Sequence, residues 1–467
     1  MRSTPEILDM HENNRYSRLA ILFVAGLLGA PAQAKVSPEE AARLGQDLTP
    51  LGAEMAGNAD GSIPAWSGKW RGAPPHLDQA GSGRYADPYA GEKPLLAIDA
   101  SNMAQYAERL SAGQQALLKR YPASFRMDVY PSHRDFRYAQ WAEDSLLRNA
   151  LGAELVNEGN GVSNAYGGSP FPLPKNGHEL LWNHNLRTTA WKEDAQYRMA
   201  LTTANGNRQF EATHYQLLSP WNQPSAERPT DPTRYAYGMH RTLEPSRKRG
   251  EIILVHAFVN PALQPTQTWQ YLPGNRRVRR APTIGYDHPY GAGGFRTIDE
   301  DRLFNGSPDR YDWTLVGKRE LYIPYHNYRL NDPDLDLTSL LTEKGHLNPE
   351  QVRYELHRVW QLEANLKPGK RHIYARRVLY LDEDSWAAVL TDNYDGRGNL
   401  WRTNLQSTVY AYDMQGFHAG VAVYHDLIAG SYLADRLVNG QPPPRLNDSD
   451  SLDANYFTIP NLRKLGL

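Results

Sequence analysis

Three consecutive carboxylates, Asp382, Glu383 and Asp384, could supply a general acid and a general base, or hold a cation. Glycoside hydrolysis uses such a pair and needs two carboxylates about 5 to 9.5 Å apart across a cleft. Adjacent carboxylates at a turn between two strands are more commonly solvated, and the sequence does not set their separation. Together with Glu320, they define one alternative for the chain, a hydrolase that acts on glycans or lipids.

A second acidic run has most of the spacing of a calcium-binding loop. Asp332, Asp334, Asp336 and Glu343 stand at positions one, three, five and twelve of such a loop. Position six of the loop is normally glycine, because the chain turns sharply there, and here it is Leu337. We therefore predict a solvated acidic loop and no calcium site.

Common enzyme signatures are absent: the sequence lacks H-E-x-x-H, G-x-S-x-G, a P-loop and a complete G-x-G-x-x-G. Gly396-x-Gly398 has no third glycine and the composition of a hairpin turn. We predict no catalytic residue, no metal and no cofactor. Ten of the 15 histidines are scattered without the spacing of metal ligands: His178, His184, His240, His256, His288, His326, His357, His372, His418 and His425.

The stretch TWQYLPGNRRVRRAP, residues 268–282, combines aromatic and cationic side chains. Period two places Trp269 and Tyr271 on one face of a strand, and Pro273-Gly274-Asn275 then favours a turn. Neighbouring residues of a strand alternate sides, so the arginines after the turn cannot share one face. A groove that is aromatic along one strand and cationic at its mouth would suit an anionic amphiphile. The predicted ligand-binding residues are Trp269, Tyr271, Arg276, Arg277, Arg279 and Arg280.

The alternative for the same stretch is a solvated edge strand whose charges prevent aggregation. Because the stretch lies in the middle of a long run of strand-like segments, we expect a strand inside the sheet rather than a free edge.

The N-terminus has the pattern of a secretory leader. The apolar run from Leu19 to Gly29 is too short to cross a bilayer, is preceded by arginines and is followed by Ala32-Gln33-Ala34. Cleavage after Ala34 would divide the chain into a signal peptide, residues 1–34, and an exported periplasmic chain, residues 35–467. Met10 is an alternative initiator, because the residues before it are acidic and unlike a leader.

Composition narrows the function further. The chain has no cysteine, which excludes thiol catalysis, cysteine-ligated zinc and iron–sulfur clusters. With 51 basic and 52 acidic residues it is nearly neutral, so a nucleic-acid partner is not expected. There are 28 Tyr and 11 Trp against 10 Phe, and amphipathic aromatics of this kind suit broad sheets and binding surfaces.

The elements that must position these residues follow in a simple order. Capping boxes at Ser37 and Ser111 start helices, and residues 138–151 and 176–186 have helical patterns. A hairpin is predicted around Asn205-Gly206-Asn207, and strand-like segments then continue to the end. Helices followed by strands predict an α+β fold with one large antiparallel sheet, in a single domain (35–467) whose N-terminal extension, about residues 35–155, is helical and irregular.

Six blocks of the sequence resemble a proteobacterial domain-of-unknown-function family, number 1329. The blocks are LGQDLTPLGAEMAGNADGSIPAW from Leu44, FPLPKNGHELLWNHNLR from Phe171, WQYLPGNRRVRRAP from Trp269, FNGSPDRYDWTLVGKRELYIPY from Phe304, RYELHRVWQLEANL from Arg353 and RHIYARRVLYLDEDSWAAVLTDNYDGRGNLWR from Arg371. The family in turn resembles the LolA/LolB-like lipoprotein carriers, through the Trp-x-Tyr strand, its turn and the surrounding meander.

This resemblance implies a curled antiparallel sheet, an incomplete barrel, with helices lidding its concave face over a cavity for acyl chains. It implies a periplasmic, non-catalytic carrier or binding protein for a lipid, a lipoprotein acyl chain or another amphiphile, peripheral to the outer membrane. Family members stand beside genes for inner-membrane export pumps and outer-membrane proteins, which are therefore the expected partners. A scaffold that docks to these proteins through the arginine run is the alternative.

Overall fold

The computed structural model describes residues 36–70, 84–224, 231–281 and 285–466. The predicted signal peptide and its cleavage site at Ala34 lie outside these residues. Contacts between Cα atoms group Val36–Leu467 into one compact unit.

The described residues form six α-helices, which are short and stand apart along the chain. Ser37 and Ser111 form the predicted capping boxes with Glu40 and Gln114. The first helix ends after one turn, and the second is preceded by a 3-10 helix, Met103–Arg109. Among the helices that the structure describes, none has the length and apolar character to cross a membrane. The helices are α1 Pro38–Ala41, α2 Ala112–Arg120, α3 Gln140–Gly152, α4 Gly177–Asn185, α5 Leu337–Leu340 and α6 Ile459–Leu465.

The described residues form twenty strands, most of them after residue 155. They are β1 Leu96–Ile98, β2 Met127–Val129, β3 Glu154–Val156, β4 Gly161–Ser163, β5 Lys192–Thr202, β6 Arg208–Leu218, β7 Arg234–Glu244, β8 Ile252–Phe258, β9 Gln267–Leu272, β10 Arg277–Arg280, β11 Pro289–Tyr290, β12 Arg296–Thr297, β13 Tyr311–Pro324, β14 Tyr354–Leu366, β15 Arg376–Asp382, β16 Ala388–Tyr394, β17 Leu400–Ala411, β18 Gly416–Asp426, β19 Ser431–Leu437 and β20 Arg445–Leu446.

Sixteen of these strands form one open sheet among the described residues. Its order is β1-β2-β14-β15-β16-β17-β18-β19-β5-β6-β7-β8-β9-β10, with β13 beside β14 and β20 beside β5. Two meanders, β5–β10 and β13–β19, are therefore fused where β19 pairs with β5, for example Leu433 with Leu201. All the pairings are antiparallel except a single parallel position between β14 and β2. The predicted α+β class with a large antiparallel sheet is confirmed.

Strand β10 is the last strand of this sheet and pairs with β9 alone. The expectation that the arginine-rich stretch lies inside the sheet is therefore wrong. The stretch ends in an edge strand, as in the alternative prediction. The reason is topological: after β10 the chain leaves the sheet for a long crossing segment. The next large strand, β13, pairs with β14 at the other end.

Register defines two faces of the sheet, because residues directly opposite each other in an antiparallel pair point to the same side. Leu217, Gly238 and Val255 are successive partners on one side, which we call the cavity face. Met239 and Leu254 are partners on the other side, the opposite face. Two helices lie on the opposite face: α2 contacts β16 and β17 at Asp392, and α6 covers β8 to β10.

Two clusters of buried side chains show how the faces are filled. The largest packs strands β13 to β18 against α2, α4 and the N-terminal loops, and includes Leu180, Leu390 and Trp386. A smaller cluster seals the opposite face of β7 to β9 under the C-terminal helix, with Tyr271 and Leu462 at its centre. Thr458 caps that helix by accepting from the Asn461 amide. Helix α6 thus covers the opposite face of the strands at this end of the sheet.

Leu462→Ala should lower the free energy of unfolding by about 2–4 kcal/mol, because Leu462 is fully buried between α6 and the sheet and its removal leaves a cavity. Urea unfolding followed by circular dichroism measures the change. Ile428→Ala is the matched control, since Ile428 is 64% exposed and its loss should change stability by less than about 0.5 kcal/mol. Equal effects of the two substitutions would contradict the packing of α6.

Candidate binding cavity

A cavity of about 660 Å³ lies between the cavity face of β6 to β9 and residues 285–310, which we call the roof segment. This volume is within the range of small-molecule sites. Pro265 and Thr266, which are exposed, mark an opening to solvent. The apolar part of the wall is formed by Leu217, Ala236, Ile253, Val255, Ala257, Pro261, Pro265, Ile298 and Phe304.

One strand position on the cavity face has no side chain. Gly238 lies in β7 between Leu217 and Val255. A Cβ atom there would stand 3.5 Å from His240 Nε2 and 3.9 Å from Val255 Cβ, which are ordinary contact distances. A larger side chain at this position would therefore project into the cavity without clashing with the backbone.

The roof segment is held to the sheet by buried polar contacts. Asp299 accepts from Arg377 Nη1 at 2.9 Å, and both side chains are almost fully buried. The Glu300 backbone carbonyl accepts from the Tyr424 hydroxyl at 2.8 Å, and Glu300 Oε1 accepts from the Asn404 amide at 3.1 Å. A capping box at Thr297, which the sequence analysis missed, starts the 3-10 helix Ile298–Leu303 in this segment.

Arg302 points into the cavity from a left-handed backbone. Its φ is 51°, and that of Leu303 is 69°. Two consecutive non-glycine residues in this region are strained, and such strain is typical of binding and catalytic sites. The Arg302 guanidinium donates to the Tyr215 hydroxyl at 3.2 Å and lies 3.8 Å from Glu193 Oε2.

Glu193 is shared between two arginines. Arg436 Nη2 donates to it at 2.6 Å, more closely than Arg302. The Tyr197 hydroxyl also donates to this carboxylate at 2.7 Å. Burial opposes ionisation of Glu193, but Arg436, Arg302 and the Tyr197 hydrogen bond, together with nearby groups, outweigh it and lower its pKa to about 2. The carboxylate is therefore charged at neutral pH.

Arg296, at the other side of the roof segment, has its own carboxylates. Its Nε lies 3.0 Å from Asp435 Oδ2, and its Nη2 lies 3.5 Å from Asp301 Oδ1. The guanidinium also stacks over the Tyr290 ring, with 4.6 Å between the guanidinium carbon and the ring centroid. This arginine is electrically compensated.

Arg187 lacks such compensation. It follows α4, is 6% exposed, and makes no ion pair with any carboxylate that the structure describes. Its Nη1 donates to the His184 backbone carbonyl at 2.7 Å. Burial and the nearby Arg302 lower its pKa to about 9, so it remains protonated at neutral pH.

The histidines near this cluster are neutral. Burial lowers the pKa of His240, which lines the cavity, to about 4, and the pKa of His418 also to about 4. His184 Nε2 donates to the Phe304 carbonyl and its Nδ1 accepts from the Ala388 amide, which fixes one neutral tautomer. The cavity thus combines an apolar sheet wall with a cationic polar wall, an arrangement suited to binding an amphiphile.

None of the six residues predicted to bind ligand lines this cavity. Tyr271 is 1% exposed and Trp269 half-buried on the opposite face, where both contact the cluster beneath α6. Thr268 points into the cavity instead. The alternation of Trp269 and Tyr271 is as expected, but the face they share is the one that the C-terminal helix covers.

The four arginines of the same stretch are exposed. Arg277 and Arg279 pair with Leu272 and Gln270 and so lie on the side of the cavity face, outside the cavity itself. Arg279 donates to Gln270 at 3.2 Å. Arg280 lies on the opposite face, and Arg276 is in the turn with a φ of 50°.

The acidic turn at residues 382–384 is buried, with Glu383 and Asp384 in ion pairs, and does not line the cavity. Arg134 donates to both oxygens of Asp384 at 2.7 Å, and Lys318 donates to Glu383 at 2.9 Å. Asp382 accepts from Ser385 at 2.5 Å. Glu320 accepts from Asn58 and Arg109 elsewhere. These contacts account for the carboxylates as a structural network.

His357, Asp382 and Asp384 each place one ligand atom within 4.8 Å of the others. Both Asp384 oxygens already accept from Arg134, whose positive charge occupies the place that a cation would take. The calcium-like spacing also does not converge: Asp334 pairs with Arg84, and Asp336 accepts from Thr338.

Sequence reasoning missed Arg187, Arg302 and Arg296. Arg187 is the last residue of the block FPLPKNGHELLWNHNLR, directly after the predicted helix over residues 176–186. Nothing in its local pattern indicates burial without a carboxylate, because that depends on how the roof segment crosses the sheet.

A family model with the description "Protein of unknown function (DUF1329)" matches residues 97–463. A relative from Pseudomonas aeruginosa, uncharacterized protein PA3922, is 42% identical over 438 residues, which cover 93% of this chain and 94% of the relative.

Solved structures resemble the chain more distantly. A domain named for outer membrane lipoprotein sorting, from Vibrio parahaemolyticus, has 17% identity and a TM-score of 0.42 over 61% of this chain and 97% of that one. A DUF1329 protein from Desulfovibrio piger has 18% identity and a TM-score of 0.37 over 59% and 92%. LolA superfamily protein NE2245 from Nitrosomonas europaea has 12% identity and a TM-score of 0.35 over 62% and 99%.

Asp382→Asn should flatten the pH dependence of stability. Burial and the adjacent Asp384 raise the pKa of Asp382 from 3.8 to about 7. Between these values the folded chain binds a proton that the unfolded chain has released, so stability falls as pH rises from about 4 to about 7, by up to about 1.4 kcal/mol per pH unit.

Urea unfolding at several pH values measures this slope for the wild type and the variant. The expected result is a smaller fall in the variant over that pH interval. Asp395→Asn is the control, because Asp395 lies in a solvent-facing hairpin turn and its pKa is lowered, so its substitution leaves the fall in place. Parallel slopes for wild type and Asp382→Asn would contradict a protonated Asp382.

Proposed function

We propose that this chain, which belongs to the family described as protein of unknown function DUF1329, is a periplasmic, non-catalytic binding protein or carrier for a lipid or another amphiphile. The cavity of about 660 Å³ is the observation that supports this proposal. One wall is apolar sheet and the other carries arginines, so a ligand with an apolar body and a polar end fits both. The leader-like N-terminus supports the periplasmic location.

The apolar wall would supply most of the affinity. Burial of apolar surface contributes about 25 cal/mol per Å², and Leu217, Val255 and Ala257 present such surface to the cavity. The polar wall would orient the ligand. Release would follow contact with a membrane or partner that binds the ligand better than the cavity does.

Placement of the carboxylates argues against the hydrolase alternative. Asp382, Glu383, Asp384 and Glu320 are absent from the cavity wall, and each accepts from neighbouring side chains. A hydrolase needs its acid and base at the substrate, and none of these four carboxylates lines the cavity.

Gly238→Phe should abolish ligand binding, because the new ring would fill the cavity from the strand that lines it. Native mass spectrometry of the protein from the periplasm, with organic extraction, should show a bound amphiphile in the wild type and none in the variant. A fluorescent fatty acid should bind the first and not the second.

Gly396→Phe is the matched control, since Gly396 is exposed in a hairpin turn with open space around it. This variant should bind as the wild type does. If the wild type carries no amphiphile and binds no fatty-acid probe, the carrier proposal fails.

Docking to an export pump or an outer-membrane protein is a second candidate function, and a separate observation favours it. The edge strand β10 presents Arg277 and Arg279 to solvent away from the cavity, and no carboxylate that the structure describes forms an ion pair with either. Exposed cations of this kind attract an acidic surface and give salt-sensitive binding.

Arg277→Glu/Arg279→Glu should weaken sedimentation of the protein with cell-envelope membranes at low salt by about tenfold or more, because the attraction becomes repulsion. Co-sedimentation at two salt concentrations measures this. Arg397→Glu, in an exposed turn, is the control for a general charge effect. Unchanged sedimentation of the double variant would exclude β10 as the docking surface.

A further inference from the structure

The proposed binding function leaves open which polar end the ligand has, and the charges around the cavity bear on that question. A buried cation without a counter-ion is unfavourable, so folded proteins normally pair one with a carboxylate. Arg187 is such a cation on the cavity wall, with no ion pair to any carboxylate that the structure describes. The missing partner is the first indication of an anionic ligand.

The neighbouring arginines, in contrast, have carboxylate partners. The cluster beside the cavity contains Arg187, Arg296, Arg302, Arg436, Glu193, Asp301 and Asp435. Four guanidinium groups thus face three carboxylates, which leaves one positive charge uncompensated.

The other charged side chains on the wall do not change this balance. Asp299 pairs with Arg377 at 2.9 Å, and Arg310 lies 3.8 Å from Asp287. His240 and His418 are neutral, because burial holds the pKa of each near 4. One excess positive charge calls for one negative charge.

A second polar group in the same wall is also without a partner. Asn185 Oδ1 is buried and has no hydrogen bond within the part of the chain that the structure describes. Asn185 lies two residues before Arg187 at the end of α4, and both line the cavity. Buried amide oxygens in native proteins nearly always accept a hydrogen bond, so this group indicates a ligand with a donor near its anion.

We infer that the cavity takes a singly charged oxyanion head group on the Arg187 guanidinium, with Asn185 Oδ1 accepting from a donor that the ligand carries beside the anion. A carboxylate and a phosphodiester both suit Arg187, since each carries one negative charge and accepts two hydrogen bonds from a guanidinium. The inference rests on the proposed binding function and specifies the class of amphiphile.

The test compares three amphiphiles of equal chain length on the full chain, purified from the periplasm and delipidated. These are a fatty acid, a lysophosphatidylglycerol and a neutral monoacylglycerol. Displacement of a fluorescent fatty-acid probe gives the three dissociation constants. The wild type should bind at least one of the anionic amphiphiles at least tenfold more tightly than the neutral one. Preference for the fatty acid identifies a carboxylate, and preference for the lysophospholipid identifies a phosphodiester.

Arg187→Met should remove this preference, because the substitution keeps most of the side-chain length and deletes the charge. Binding of the monoacylglycerol should stay within about threefold. Arg187→Lys should retain part of the preference, since it keeps the charge but loses the planar fork of donors. Arg397→Met, in an exposed turn, is the control and should retain the full preference.

The outcomes separate the two claims. If the wild type binds none of the three amphiphiles, both the proposed function and the inference that rests on it are overturned. If it binds the monoacylglycerol as tightly as the anionic ligands, or if Arg187→Met keeps the preference, the inference alone is overturned. The comparison within the wild type remains decisive even if an Arg187 variant does not fold.

Discussion

The buried pair between Arg377 of β15 and Asp299 of the roof segment is the contact on which the cavity depends. Arg377 Nη1 lies 2.9 Å from Asp299 Oδ2, both side chains are at most 3% exposed, and His372 lies 3.1 Å from the same carboxylate oxygen. Breaking such a pair by removing one partner costs about 3–5 kcal/mol. The chain has no cysteine and therefore no disulfide bond. Buried ion pairs of this kind hold the roof segment against the sheet instead.

The same device explains why so much charge is buried on the cavity face. A roof made of strands or long helices would satisfy its own backbone, but the roof segment consists of short 3-10 turns and a two-residue hairpin. Its backbone groups and its acidic side chains therefore need partners from the sheet, and arginines on several strands supply them. Arg377 of β15 pairs with Asp299, and Arg402 of β17 donates to the Phe295 backbone carbonyl, in this way. Arg187 belongs to the cluster beside the cavity but has no carboxylate partner among the described residues. Its position is therefore more informative about function than that of the paired arginines.

Local signals predicted the elements well and their long-range relations poorly. The capping boxes at Ser37 and Ser111, helix α4 and the β5–β6 hairpin all follow from spacing over a few residues. Period two also grouped Trp269 with Tyr271 correctly. Which face of the sheet they occupy depends on α6, almost two hundred residues later in the chain, and on the fusion of two meanders at β19 and β5. A sequence pattern fixes which residues share a face, but the packing of distant segments decides what that face contacts. For the same reason the sequence predicts an interior position for β10, whereas the structure has it at the edge of the sheet.

A roof held this firmly also limits how a ligand can enter. If opening the cavity required the loss of even one buried pair worth about 4 kcal/mol, about one molecule in a thousand would be open at a given moment. The existing opening beside Pro265 and Thr266 involves no ion pair of the roof, and the exposed Leu263 lies in the same loop. Exchange through this opening would leave the arginine cluster intact. The ligand's polar end would then meet Arg187 in a site that is already formed, and binding would require little reorganisation of the protein.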